Sequence, residues 1–383
     1  MQFVCPLNQP DAPLNLIVKF LAIITLIPFV IVMLIGPKVI RTLKRLKITQ
    51  PGKDELEKVI KTARLTRGRP IMGGLLILIG LGAYILIARI LGTFSPQDII
   101  FIFAIVAGGA AGLLNDFFDL RGKVQRMRIH DRYNSLIHGS FTRYFLWHYI
   151  SWPLRVFRKI TTPFGSYSTG LRTSHRFGIQ FALGVAGTYL IHRFFVPVTF
   201  VWLPFVGGIN LPLLVSLALY GIIAVAFING FNITDGVDAI SASNHAISFL
   251  GALIMAVVFK EYGLAKYIAA LIGAELGFLF YNIPNAKIEM SDVGTVPIGL
   301  LYTLVFVYLN RVFVSPLMGV WYVIIAGSSF LQVFWVLVFK RRLFKIAPFH
   351  HLLEHYGIER PAIVMYSNLV TTIGVILGLI IGV

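Results

Sequence analysis

Acidic residues are scarce in this chain: 16 Asp and Glu stand against 34 Lys and Arg among 383 residues, and only 13% of the chain is charged. Cysteine is rarer still. Cys5 stands alone, which excludes an intrachain disulfide and any cysteine-based metal site. No zinc-finger spacing, helix-turn-helix pattern or RNA-binding motif accompanies the net charge of +18, so no nucleic-acid partner is expected. The surplus reads instead as topology signal and attraction to anionic membrane lipids. Short-period repeats and low-complexity linkers are also missing, and residues 1–383 read as a single polytopic membrane domain.

What the chain has in excess is apolar surface. It is 57% hydrophobic with a mean hydropathy of +0.81, more than a soluble protein of this length can hide. About 20 apolar residues cross a hydrocarbon core as a helix, with every backbone group satisfied internally. Ten stretches qualify: 15–36, 71–91, 97–115, 177–194, 211–228, 239–259, 263–282, 294–309, 318–339 and 362–382. The first is too long for a signal-peptide core and is followed by a basic loop, so it is expected to remain as a helix. The fold class is therefore an all-α integral membrane protein of about ten transmembrane helices. Basic residues crowd loops 37–70 and 116–176 and the run Lys340, Arg341, Arg342, Lys345, whereas 92–96 and 195–210 carry no charge. The positive-inside rule then puts the odd-numbered loops in the cytoplasm and both termini outside.

Four polar motifs interrupt the apolar spans: GLLNDFFD (112–119), NGFNITDGVD (229–238), NAKIEMSDVGT (285–295) and IAPFHHLLEH (346–355). Alternation of direction places all four on the same side of the bilayer. Asn229, Asn232, Asp235 and Asp238 recur every third residue, which on a helix puts them along one face. A helix cap would use one such residue rather than four. Asp116, Asp119, Asp235, Asp238 and Asp292 bring five of the sixteen acids to one membrane face, with Asn115 beside the first pair. Sparse oxygen ligands of this kind suit Mg2+ whose remaining ligands come from a phosphate substrate. His350 and His351 are adjacent, so they cannot form a zinc pair on one helical face; they read either as donors to phosphate oxygens or as part of a loop dipping into the headgroups. TRGRPIMGG (66–74) brings Arg67 and Arg69 to the start of the second span, as a further phosphate contact or as a positive-inside flank.

These motifs, in this order and on these loops, resemble the polyprenyl-phosphate N-acetylhexosamine-1-phosphate transferase superfamily. KIAPFHHLLEHYGIE (345–359), GRPIMGG and FNITDGVD are most similar to its phospho-N-acetylmuramoyl-pentapeptide transferase branch, where the last two read GTPTMGG and LNLTDGLD. The resemblance implies that a UDP-activated amino sugar gives its sugar-1-phosphate to undecaprenyl phosphate with release of UMP. It implies Mg2+ as cofactor, an active site facing the cytoplasm of the plasma membrane, and a homodimer. By position it makes Asp292 the magnesium ligand and Asp116 the second member of an Asp-Asp pair. Asn229, Asn232, Asp235 and Asp238 would hold the uridine diphosphate part, with Arg67 and Asn115 nearby, and His350 and His351 would donate to phosphate. Gly170-Leu171 followed by Gln180 resembles the family's start to the fourth span.

The chain also departs from that pattern. Asn115 replaces the first Asp of the pair, and Asp119 stands where Lys is usual. Arg69 and Ile71 replace both threonines of GTPTMGG, Leu352 replaces a third His, and Glu289 and Ser291 replace Phe and Gly. Asn115 removes one negative charge but need not remove a base, because a phosphate monoester is mostly deprotonated above its second pKa of ~6. Two other readings follow from these departures: a sister transferase using UDP-N-acetylglucosamine or a related sugar, and a degenerate relative that binds the lipid carrier without chemistry. Residues 121–168 form a long basic and aromatic insert suited to an amphipathic helix in the inner headgroup layer.

Overall fold

The computed structural model describes residues 13–49, 68–118 and 173–383. Arg67, Asp119, Gly170, Leu171 and the 121–168 insert lie outside the described residues. The helices are α1 (Leu14–Arg45), α2 (Gly74–Ile90), α3 (Asp98–Phe118), α4 (Thr173–Phe194), α5 (Leu213–Thr234), α6 (Ile240–Val258), α7 (Tyr262–Asn282), α8 (Asp292–Tyr308), α9 (Ser315–Met318), α10 (Val320–Phe339), α11 (Phe349–His355) and α12 (Arg360–Gly382). Seven of them are long and apolar enough to cross a bilayer: α1, α3, α5, α6, α7, α10 and α12. Of the other expected spans, α2 and α8 are apolar helices of 17 residues each, and α4 is a 22-residue helix diluted by Arg176, His192 and Arg193. The chain is a helical, multi-pass membrane protein. The uncharged 195–210 loop adds one element that periodicity did not reveal, an antiparallel hairpin of β1 (Phe200–Leu203) and β2 (Gly207–Asn210).

Burial follows composition. From Val293 to Tyr308 every residue of α8 is buried, as is most of α7, because both helices are apolar on all sides and have no solvent face to offer. Around them pack α1 against α7, α5 against α8, α6 between α7 and α12, and α4 against α5. Phe231, His245, Tyr302 and Tyr322 stack in the centre, with Phe231 and Tyr322 ring centroids 4.0 Å apart. Two expected boundaries shift. At 32 residues α1 is about 48 Å long, well beyond a ~30 Å hydrocarbon core, so Lys38, Arg41, Lys44 and Arg45 extend the helix past the apolar span instead of forming a loop. Similarly α5 runs on to Thr234 and absorbs Asn229 and Asn232.

The bundle has one end tied by simple polar pairs and one end holding the motifs. At the first, Arg89 donates to Asp98 at 2.7 Å, and Tyr308 joins Gln97 to Glu261. The four motifs meet at the other.

Candidate active site

The N-terminus of α8 is the centre of this end. Helices leave their first N–H groups without intrahelical partners, and these are filled here by an acid from a distant span. Asp116, near the end of α3, accepts the Ser291 hydroxyl at 2.6 Å and the backbone N–H of Asp292 at 3.2 Å on one oxygen. Its other oxygen accepts the Val293 N–H at 3.0 Å. Asp235, at the end of α5, accepts the Ser291 N–H at 3.0 Å. Ser291 itself has φ +62° and ψ 179°, a region that normally demands glycine and costs a side-chain-bearing residue roughly 1–3 kcal/mol. The two aspartates, from separate motifs, hold it there. Close approach makes this possible: Gly112 lies so near the Asp292 carbonyl that a Cβ at that position would collide with backbone.

Asp292 is thereby aimed away from its own cap. Its side chain accepts from the Asn232 amide, which also reaches Thr295 at 3.2 Å, and it faces Arg176 at 3.9 Å. Asp292, Asn232 and Arg176 line an open cleft, about 400 Å³ with its solvent-filled mouth, with Asn115, Gln180 and Asn229 on its polar side and Ala111, Ile179 and Val296 on its apolar side. Asn229 donates to Gln180 at 2.7 Å, which fastens α5 to α4. Asn115 Oδ1 is buried with no hydrogen-bond partner among the described residues, and it shares the cleft lining with the Asp292 carboxylate. Magnesium takes one or two protein carboxylates and fills its octahedron with water and phosphate oxygens. The donor set fits such an ion: Asp292 as the charged ligand and Asn115 Oδ1 as a neutral one, while Asp116 is occupied by the α8 cap.

The every-third-residue spacing of NGFNITDGVD does not carry one continuous face. Asn229 and Asn232 sit on α5, but the helix stops at Thr234 and Ala239 turns left-handed at φ +68°. Asp238 is therefore turned out of the cleft. It accepts from Arg69 at 2.7 Å and from the Ala286 N–H at 3.2 Å, with 9% of its side chain exposed. This pair joins GRPIMGG to TDGVD. Arg69→Thr is expected to cost about 1.5–3 kcal/mol, the usual worth of a hydrogen bond to a charged group. Pairing it with Asp238→Asn should recover part of that loss in thermal unfolding; additive losses would deny the coupling.

His350 and His351 are buried on α11, a short helix, and neither lines the cleft. Phe349 and Leu353 seat α11 on Val237, Ala239, Ile240 and Trp321. Gly236 leaves room for His350, whose Nε2 would be 2.6 Å from any Cβ there. His351 meets Glu354 at 2.8 Å, and Glu354 also accepts from Arg360 at the start of α12. Burial pushes the Glu354 carboxyl up, but hydrogen bonds from His351 and Arg360 outweigh it and bring it down to about 2 from an ordinary 4.5. A depressed carboxylate stabilises the fold fully above pH 4.5, and that contribution fades as pH falls from there towards 2. Thermal melts should therefore drop across this acidic window and drop less in Glu354→Gln. Identical slopes would remove Glu354 from the docking of α11.

Sequence reasoning missed Arg176 and Glu354. In the sequence Arg176 is one more charge at the edge of a basic loop; its four-residue spacing from Gln180, which puts both on one helix face, is the available signal. Glu354 had none, because an acid in a basic loop has many possible partners.

Comparison with known proteins agrees with the geometry. The family model described as glycosyl transferase family 4 matches residues 168–310, which carry Arg176, Asn229, Asn232, Asp235 and Asp292. A phospho-N-acetylmuramoyl-pentapeptide-transferase of Caldicellulosiruptor bescii is 28% identical over 354 residues, covering 92% of this chain and 95% of its own length. The 168–310 segment is thus similar to glycosyl transferase family 4, and nine-tenths of the chain aligns with the Caldicellulosiruptor bescii transferase. Proteins of the same printed name from Staphylococcus haemolyticus (27% identical; 88% of this chain, 91% of the relative) and Chlamydia trachomatis serovar L2 (33% identical over 221 residues; 55% and 66%) agree. The resemblance read from the motifs holds along most of the chain.

Proposed function

We propose that this protein transfers phospho-N-acetylmuramoyl-pentapeptide from its UDP conjugate to undecaprenyl phosphate, giving lipid I and UMP. The observation that carries the reading is the convergence of Asn115, Asn229, Asn232 and Asp292, from three separated motifs, on one cleft, in a chain aligned over nine-tenths of its length with transferases of that name. The positive-inside rule assigns the basic loops, and with them the motif end of the bundle, to the cytoplasmic side of the plasma membrane, in a protein of ten spans with both termini outside. There a water-soluble nucleotide meets a lipid acceptor.

A non-bridging oxygen of the lipid phosphate attacks the sugar-bearing phosphorus in line. A new P–O bond forms, the bond to the UMP phosphate breaks, and its electron pair leaves on UMP. Phosphoryl transfer of this kind is governed by positioning and charge neutralisation, so no protein base is required. Asn229 and Gln180 form a fixed polar wall for the nucleotide. Asn232 orients Asp292, and Asp116 fixes the helix terminus from which Asp292 projects. A magnesium ion held by Asp292 and Asn115 would neutralise diphosphate oxygens and stabilise the departing UMP.

Release of UMP from labelled UDP-sugars, with and without undecaprenyl phosphate, tests the assignment. Acceptor-dependent release from the muramoyl-pentapeptide donor is expected. Turnover of UDP-N-acetylglucosamine alone would assign the sister chemistry, which the replacement of threonine by Arg69 at the Asp238 contact favours. Binding without release from any donor would make the protein a lipid-carrier-binding relative.

A further inference from the structure

One charged group in the cleft has no part in the chemistry above. Arg176, near the start of α4, and Gln180, one turn on, face the cleft together with Asn229, Asn232 and Asp292. Nη1 of Arg176 lies 3.9 Å from Asp292 Oδ2, a charge pair at a separation too long for a hydrogen bond, with 22% and 14% of the two side chains exposed. Such a contact turns the guanidinium toward the carboxylate side of the cleft.

The charges of the lining call for that anion. Among the described residues of the lining the charged members are Asp292 and Arg176, which cancel, and Asn115 is neutral. A nucleotide diphosphate and a lipid phosphate together bring several negative charges into this space. Asp116 cannot influence that balance from the lining, because its oxygens hold backbone and hydroxyl donors. The other nearby arginine, Arg69, is committed to Asp238. Both histidines lie outside the lining. Arginine is always charged and presents a planar fork of donors that matches two phosphate oxygens at once.

Resting on the transferase reading, we propose that Arg176 is a catalytic residue that clamps the diphosphate of the donor. On substrate entry its fork passes from Asp292 to the phosphate oxygens. In the transfer step it hydrogen-bonds the oxygens that gain charge as the bond to UMP breaks, and no proton moves. Asp292 is released by the same exchange to serve as a ligand.

The test uses the full chain in detergent and measures binding of UDP, uridine and inorganic pyrophosphate by calorimetry, each with magnesium and with chelator. Arg176→Gln is expected to weaken UDP and pyrophosphate by roughly 10–100-fold and leave uridine unchanged. Arg176→Lys should fall between, keeping the charge without the fork. With chelator present, the UDP affinity that remains in the wild type should vanish in Arg176→Gln, which separates the guanidinium from the metal. Unchanged UDP and pyrophosphate affinities in Arg176→Gln would overturn the proposal. So would loss of uridine binding in both variants, which would mark a purely structural residue. Arg176-dependent pyrophosphate binding in a protein that ignores UDP would uphold the clamp and sink the nucleotide reading. A wild type that binds neither would sink both.

Discussion

Asp292→Ala abolishes transfer and leaves the protein folded. Among the described residues the carboxylate is the one acid lining the cleft, and it meets the side chains of Asn232 and Arg176. Its loss removes the one negative charge that could hold a cation against the diphosphate. Removing a single preorganised electrostatic contact costs on the order of 10²–10³-fold in turnover, and a sole charged metal ligand should lie at or beyond that range. The melting temperature should stay near that of the wild type, because Asp116 still caps the helix. Labelled UMP release and a thermal melt on the same preparation check both halves. More than a few per cent of residual transfer would remove Asp292 from the centre of the chemistry.

Asp116→Ala gives the opposite signature. Activity and stability fall together, because three donors at the start of α8 lose their acceptor and Ser291 loses one of the two carboxylates that hold its strained backbone. Hydrogen bonds to a charged group contribute about 1.5–3 kcal/mol each and are not additive, so a loss on the order of 3 kcal/mol is expected. Asp116→Asn recovers only part of it, since its amide nitrogen must oppose a donor on one side. A wild-type melt combined with lost turnover in Asp116→Ala would make Asp116 a ligand of the reacting groups and not a support for Asp292. The pair of variants thus separates two acids that the motifs place side by side in role.

The difference between them shows where sequence reading stops. Asp116 and Asp292 are both acids at the ends of apolar spans, and both fit a metal on paper. Only the route of the chain shows that one caps the helix on which the other rides. Asp235 and Asp238 tell the same story, because a spacing of three defines a face only while the helix continues, and α5 ends before reaching them. Arg176 was visible as a residue but not as a neighbour of Asp292, from which it is separated by more than a hundred positions.

The helical membrane character of the chain and its set of polar motifs were legible from composition and order alone. A bilayer leaves a chain few ways to satisfy its backbone, so hydropathy translates almost directly into helices. Which acid faces the cleft, which one ties the scaffold, and which arginine stands opposite were decided by tertiary packing. Those outcomes depend on where α3, α4, α5 and α8 come within hydrogen-bond reach of one another, and short-range polar contacts between distant segments leave no periodic trace in the chain that makes them.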